Sequence, residues 1–287
     1  LATGSRPLAL PGNPFAGALI DSTQALELNT LPSSAVIIGA GAVALEFASL
    51  WNAAGCEVTL LIRRDRVLST WERRASMTLT RELKRRGVNV IARTAVDRVD
   101  TGANLGATVH YRQGDSDEDR TAYGEVVLAA IGRVPNTDAD WFRSSGLKLD
   151  ERGYVTVDGY GRTNLDGVWA LGDITPGHAL AHRAFEQGIT IAEKIAGADP
   201  KPVLDDTVPQ VVFSFPEAAS VGLTLDQAKA REDVVEPKET AYPMLSNARM
   251  LMSGEGGSMT VVSGAFANNP DMQVVLGVHI VSPIASD

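Results

Sequence analysis

Six residues, Gly39-Ala40-Gly41-Ala42-Val43-Ala44, have the G-x-G-x-x-A spacing that brings a peptide backbone against a pyrophosphate. In such a turn Gly39 allows the sharp reversal, Gly41 lets the backbone approach the phosphates, and Ala44 permits close helix–strand packing. The helix that follows offers unpaired N–H groups and the positive end of its dipole to the same anion. Where the next strand ends, a unit of this kind that binds NAD places an acidic residue to hold the ribose 2′-OH. Here that position is Ile62, followed by Arg63, Arg64, Asp65 and Arg66. A solvated basic loop would account for the arginines, but not for the missing acid.

The flanking residues supply the elements such a turn needs. Ala35 to Ile38 is a short apolar run that reads as a buried parallel strand. Leu45, Phe47, Ala48, Leu50 and Trp51 recur at helical spacing, Gly55 ends that helix, and Val58 to Ile62 form a second strand. Strand, glycine turn, helix and strand in this order raise the fingerprint above a chance match.

At 287 residues the chain can hold two or three cores. The net charge of −9 gives no basic face for general nucleic-acid binding. One cysteine, Cys56, excludes an internal disulfide and a cysteine-based metal site, and fits a cytoplasmic protein. No apolar run reaches the ~18 residues of a membrane-spanning helix, and no metal ligands or membrane contacts are expected. Leu1-Ala2-Thr3-Gly4-Ser5-Arg6-Pro7 opens the sequence without a methionine and reads like the interior of a protein.

Taken in order, Leu1 to Leu31 reads as a connector with one short helix at Ser22 to Leu26. Ser69 to Gly87 reads as a helix with arginines on its wet face, Val88 to Ala92 as a third strand, and Val96 to Val99 with Ala107 to Tyr111 as a hairpin. The acidic loop from Gly114 to Arg120 is expected in solvent. Val126 to Ile131 is a buried strand leading into Gly132. Further strands are expected at Gly146 to Asp150, Tyr154 to Val157 and Val168 to Leu171, then a helix at Ala179 to Ala196. From Val208 onward the pattern is antiparallel, with a helix capped by Thr224.

Several separated motifs agree with one family. The chain resembles the flavin-dependent pyridine nucleotide–disulfide oxidoreductases, and among them the dihydrolipoamide dehydrogenases. The resemblance rests on Ala2-Thr3-Gly4-Ser5-Arg6-Pro7, the Gly39 fingerprint with Glu46, Gly132-Arg133-Val134-Pro135-Asn136 and Ala170-Leu171-Gly172-Asp173. It continues through Leu180-Ala181-His182-Arg183-Ala184, Pro216 to Thr224, Ser246-Asn247-Ala248-Arg249 and Gly277-Val278-His279. It implies an α/β chain with four parts: 1–32, the end of an FAD-binding domain and connector; 33–134, a Rossmann-like NAD(P)-binding domain with a β-meander; 135–205, the second part of the FAD-binding domain; and 206–287, a truncated α+β dimerisation domain with an antiparallel sheet.

The resemblance also assigns residues. FAD would be held by Thr3, Gly4, Asp173 and the backbone amides of Leu180, Ala181 and His182; taken alone, Asp173 is equally a turn-capping carboxylate and His182 an ordinary half-buried histidine. The pyridine nucleotide would meet Gly39, Gly41, Ala42, Val43, Glu46 and Gly132, with Glu46 near the junction of nicotinamide and flavin; alone it is equally a solvated helix carboxylate. Ala42 stands where some relatives carry a gating tyrosine. Arg133 and Asn136 would hold a domain junction, and His279 would be structural.

Most dihydrolipoamide dehydrogenases carry Glu where this chain has Ile62. The arginines look instead like the glutathione-reductase version, in which an Arg after the strand clamps the 2′-phosphate through charge-assisted bonds. The relatives' second arginine falls on Ser69, so Arg64 or Arg66 must substitute, and Asp65 would oppose binding if it pointed inward. NADP(H) is therefore expected over NAD(H), with Arg63 and Arg64 as contacts. The family's redox cysteine pair and its C-terminal His–Glu pair are both missing, so the sequence reads as a fragment with no catalytic residue, inactive towards lipoamide by itself. The expected whole is a homodimeric dihydrolipoamide dehydrogenase-like oxidoreductase serving a 2-oxo acid dehydrogenase complex. The alternatives are an NADPH-dependent glutathione- or mycothiol-type disulfide reductase, a quinone reductase of the same family, and a redox-inactive nucleotide-binding module.

Overall fold

The computed structural model describes residues 1–102, 106–253 and 256–286. The chain divides into two compact units, one of Leu1–Pro7 with Arg133–Val208 and one of Leu8–Gly132 with Pro209–Asp287. The amino-terminal stretch supplies β1 (Ser5–Pro7), β2 (Leu19–Ile20) and α1 (Ser22–Leu26). A first βαβ unit follows in β3 (Ser34–Ile38), α2 (Ala42–Ala53) and β4 (Glu57–Ile62). A second crossover, α3 (Arg73–Arg85), leads to β5 (Asn89–Ala92). The antiparallel β6 (Thr94–Asp100), β7 (Ala107–Gln113) and β8 (Arg120–Gly124) come next, and β9 (Val126–Ala129) returns to the parallel sheet.

In the larger unit the parallel sheet has the order β2-β9-β3-β4-β5. Its strands are mostly apolar, with Ser34, Glu57 and Asn89 only at their amino ends, because both faces are covered. Ile37, Leu60, Ile62 and Leu128 pack on one face with Leu45, Trp51, Leu79 and Leu83 of the two helices. Val36, Ile38, Leu61 and Val127 pack on the other with Ala107, Val109 and Tyr111 of the antiparallel insert. The hairpin expected after β5 is present, with β8 added as a third strand.

The smaller unit holds β10 (Arg133–Pro135), which pairs antiparallel with β1, together with α4 (Asp140–Ser144) and α5 (Ala181–Ile195). The strands expected at 146–150, 154–157 and 168–171 do not form; single bridges join Leu149 to Val155 and Arg162 to Trp169. The reason is local. Asp150 Oδ1 accepts the N–H groups of Arg152 and Tyr154 at 2.9 and 2.8 Å, and Asp158 Oδ1 accepts those of Tyr160 and Arg162 at 2.9 Å. These carboxylates fold 150–154 and 158–162 into turns, while the amides of Val168 and Ala170 go to the Leu165 and Gly161 carbonyls rather than to a ladder.

The remaining segment of the larger unit contains β11 (Gln210–Val212), β12 (Glu217–Gly222), α6 (Leu225–Ala230), β13 (Val234–Pro243), α7 (Ala248–Ser253), β14 (Ser258–Phe266) and β15 (Asn269–Ser282). The antiparallel sheet runs β11-β12-β15-β14-β13. Thr224 caps α6 in a reciprocal box with Gln227. Strand β13 was invisible in the sequence because it carries Glu236, Pro237, Lys238 and Glu239, the composition that blunts a sheet edge, with a bulge between Val235 and Lys238. Helix α3 starts four residues later than the sequence implies. The Glu72 carboxylate caps it, accepting the N–H groups of Arg74 and Ala75 at 2.6 and 2.7 Å.

Candidate nucleotide-binding site

The glycine turn connects the carboxyl end of β3 to the start of α2, where an open α/β sheet places its ligands. Gly39 sits at φ +142° and a Cβ there would lie 2.2 Å from the Ala130 carbonyl oxygen, so only glycine fits. Its N–H donates to the Leu61 carbonyl at 3.1 Å, fixing the turn to β4. Gly41 is the N-cap of α2 without a side-chain cap, and a Cβ there would meet nothing within 4 Å. The helix N-terminus therefore opens onto free space, and the residues present fit a pyrophosphate held by backbone N–H groups. Ala42 and Val43 begin the helix half-buried, and Ala44 is fully buried beneath the turn.

At the end of β4, Ile62 is fully buried in the core, and no carboxylate stands at the ribose position. Arg63 and Arg64 are exposed, and among the described residues neither guanidinium has a hydrogen-bond or ion-pair partner. Arg66 is different. Its Nη1 donates to Asp65 at 3.0 and 3.2 Å and its Nη2 to the Ser69 carbonyl at 3.2 Å, while its Nε is buried without a partner. It is a structural brace rather than a replacement for the second arginine, and it engages the Asp65 carboxylate that threatened to oppose an anion.

Glu46 is half-buried on α2, and its Oε1 accepts the Phe213 N–H at 3.0 Å. One turn further, Ser49 Oγ accepts the Phe215 N–H at 3.2 Å. The sequence reading gave Glu46 a place near the nicotinamide and missed this backbone partner, which no motif encodes. Gly132 lies at φ +141° with nothing within 4 Å of a built Cβ, and its carbonyl accepts the Leu8 N–H at 3.0 Å.

The residues expected to hold FAD lie in the smaller unit. Thr3 Oγ1 donates to the Asn136 carbonyl at 2.8 Å, the Asn136 side chain donates back to the Thr3 carbonyl at 2.9 Å, and the Asn136 N–H donates to Gly4. Arg133 donates to the Ser5 hydroxyl and carbonyl, both at 2.6 Å. Arg133 thus ties β10 to β1, and Asn136 ties the residue after β10 to those before β1, within this unit. Asp173 accepts from Ser5 Oγ at 2.5 Å, a partner the sequence reading missed. Ala181 and His182 open α5, whose N-cap, Leu180, supplies no side-chain cap. The Leu180 amide donates to the His178 carbonyl at 3.0 Å. The donor set, a carboxylate and an uncapped helix start, fits a flavin nucleotide.

A cavity of about 1120 Å³ also lies in the larger unit, walled by Arg74, Met77 and Arg81 of α3 and by Glu239 and Tyr242 of β13. None of Gly39, Gly41, Arg63 and Arg64 lines it. The uncapped start of α2 and the two arginines lie at the strand ends instead. Among the described residues no helix is long and apolar enough to cross a membrane, and no cluster of three or more His, Cys, Asp or Glu could hold a metal ion.

A family model described as pyridine nucleotide-disulphide oxidoreductase matches residues 1–188, and the dimerisation domain of the same family matches residues 208–287. The chain belongs to the pyridine nucleotide-disulphide oxidoreductase family. As a member of that family it is 37% identical over 293 residues to dihydrolipoyl dehydrogenase of Geobacillus stearothermophilus, covering 100% of this chain and 59% of that protein. It is 36% identical over 290 residues to dihydrolipoyl dehydrogenase of Cupriavidus necator, again covering 59% of the relative. The solved structure of LpdA from Mycobacterium tuberculosis superposes with a TM-score of 0.86 at 30% identity, over 100% of this chain and 60% of LpdA. RclA from Escherichia coli, described as an HOCl-induced flavoprotein disulfide reductase, gives 0.83 at 26% identity, over 98% of this chain and 62% of RclA. The chain thus spans about 60% of the length of the relatives it matches.

Proposed function

We propose that this oxidoreductase chain binds a pyridine dinucleotide across Gly39, Gly41, Ala42 and Val43, with Glu46 and Gly132 flanking it, and that it takes NADP(H) in preference to NAD(H). The observation that carries the preference is the pair of guanidiniums, Arg63 and Arg64, without a partner among the described residues, following a buried Ile62 where a carboxylate would exclude a phosphate. Domains run over 33–134 for the nucleotide and 206–287 for dimerisation, with 1–32 and 135–205 contributing to the flavin site. There Asp173, held by Ser5, and the start of α5 at Ala181 and His182 receive FAD. The helix dipole favours negative charge at that end.

The whole protein is read as a homodimeric flavoenzyme of dihydrolipoamide dehydrogenase type, acting in the cytoplasm in a 2-oxo acid dehydrogenase complex; the two dihydrolipoyl dehydrogenase relatives support the enzyme type and the dimerisation-domain match the dimer. When bound, nicotinamide and flavin supply the hydride chemistry that links NAD(P)H to a disulfide. This chain's residues position the nucleotide, and Cys56 has no part in the exchange: burial and the nearby Glu125 and Glu57 push its thiol up to about 11. The arginines favour a second reading, an NADPH-dependent disulfide reductase of the same family. Titration with NADPH and NADH tests the nucleotide assignment. Tighter NADH binding, or an Arg63→Ala variant with unchanged NADPH affinity, overturns it.

A further inference from the structure

The parallel register of β4 and β5 aligns Ile62 with Ala92, so the two strands end side by side, about 4.8 Å apart. The residues that leave them are Arg63 and Arg93. Arg93 is exposed, and among the described residues its guanidinium has no partner. Its backbone is fixed from both sides: its N–H donates to the Arg64 carbonyl at 3.0 Å, and its carbonyl accepts the Gly114 N–H at 2.8 Å. Next to it, the buried Thr94 donates its hydroxyl to the Ile62 carbonyl at 3.1 Å. The loops after β4 and β5 are stitched into one platform.

Arg93 holds this position at φ +57°, the left-handed region that a side chain enters at a cost. Glycine would serve the same turn without strain. An arginine held in a strained conformation, close to two others that have no partner among the described residues, points to use of its guanidinium. We propose that Arg93 is the second arm of the ribose-phosphate clamp, closing with Arg63 on the 2′-phosphate of an adenosine; this rests on the NADP(H) reading above. It supplies the guanidinium that Ser69 cannot and that Arg66 has committed to Asp65 and the Ser69 carbonyl. Paired guanidinium forks match a dianionic phosphate in both charge and geometry. Nearby carboxylates are largely engaged: Glu118 pairs with Arg120 at 3.0 Å and Asp119 with His110 at 3.3 Å. Asp115 is exposed next to Gly114, and salt screening limits the effect of its charge.

The variant that isolates the side chain is Arg93→Gly, which keeps the positive φ and the bond to Arg64. The chain as it stands is titrated with NADPH, NADH, 2′,5′-ADP and 5′-ADP, with thermal unfolding as a check on folding. Arg93→Gly is expected to weaken NADPH and 2′,5′-ADP by about tenfold, the size of one charge-assisted bond, and to leave NADH and 5′-ADP unchanged. Arg93→Lys restores part of the loss. If Arg63→Ala lowers the NADPH preference while Arg93→Gly does not, Arg93 is no part of the clamp and the NADP(H) reading stands. Equal weakening of all four ligands marks a structural role and overturns the proposal as well. A wild-type chain that binds NADH more tightly overturns the NADP(H) reading itself.

Discussion

A Cβ on Gly39 would lie 2.2 Å from the carbonyl oxygen of Ala130, whereas one on Gly41 would meet nothing within 4 Å. The fold therefore requires glycine at position 39, whereas at position 41 it leaves open the space where the proposed pyrophosphate would lie.

Gly39→Ala is expected to cost about 3 kcal/mol of stability through overpacking and a disfavoured φ. Gly41→Ala should unfold at the wild-type temperature, since φ −90° suits any residue, yet bind NADPH roughly tenfold more weakly through crowding of the phosphates. Thermal denaturation and nucleotide titration of both variants separate the two effects. A Gly41→Ala variant with full affinity would remove the pyrophosphate from this turn.

Arg66 braces the loop rather than the ligand. Its side chain is 19% exposed and spans Asp65 and the Ser69 carbonyl. Arg66→Ala should lower stability by about 1 kcal/mol through lost packing and hydrogen bonds and leave the ratio of NADPH to NADH affinity unchanged. A fall in that ratio without a stability loss would return Arg66 to the phosphate.

His279 gives the fold a pH dependence. Its Nδ1 lies 2.7 Å from Ser220 Oγ and its Nε2 lies 3.2 Å from the Leu223 carbonyl oxygen, an arrangement satisfied by a neutral ring with its proton on Nε2. Burial lowers its pKa below the ordinary 6.5, outweighing the Leu223 carbonyl, Glu72 and Glu239, which pull it up. The unfolded chain then binds a proton that the folded chain refuses, so stability is present above 6.5 and lost as the pH falls below it. Unfolding temperatures measured from about pH 7.5 to about pH 5.5 should fall more steeply for wild type than for His279→Gln. Parallel slopes would mean that His279 is not the group responsible.

Cys56 should be inert in the native state. It is 4% exposed, and with its pKa pushed up to about 11 only about one part in a thousand is thiolate near pH 8. Alkylation by iodoacetamide should be negligible until denaturant is added, then complete. Fast labelling of the folded chain would contradict the burial.

The nucleotide half of this chain was legible because its signals are local. Ala35 to Ile38, the glycine turn and the periodic Leu45, Phe47 and Trp51 each encode their own geometry, and Thr224 with Gln227 announces its helix in four residues. The apolar strands read clearly because a sheet covered on both faces admits little else. Edge and loop elements did not. The charges and proline of β13 deny it a strand signature, and Asp150 and Asp158 turn apparent strands into side-chain-capped turns.

Sequence determined that the chain carries a G-x-G-x-x-A turn between strand and helix, followed by arginines in place of an acid, since residue types and short spacings suffice for that. Only the tertiary structure decided which arginines remain free. Arg63, Arg64 and Arg66 are near neighbours in sequence, yet ion pairing removes Arg66, and the parallel register of β4 with β5 brings Arg93 from thirty positions away. Pairing partners and strand register depend on contacts between distant segments, and those form only when the sheet assembles.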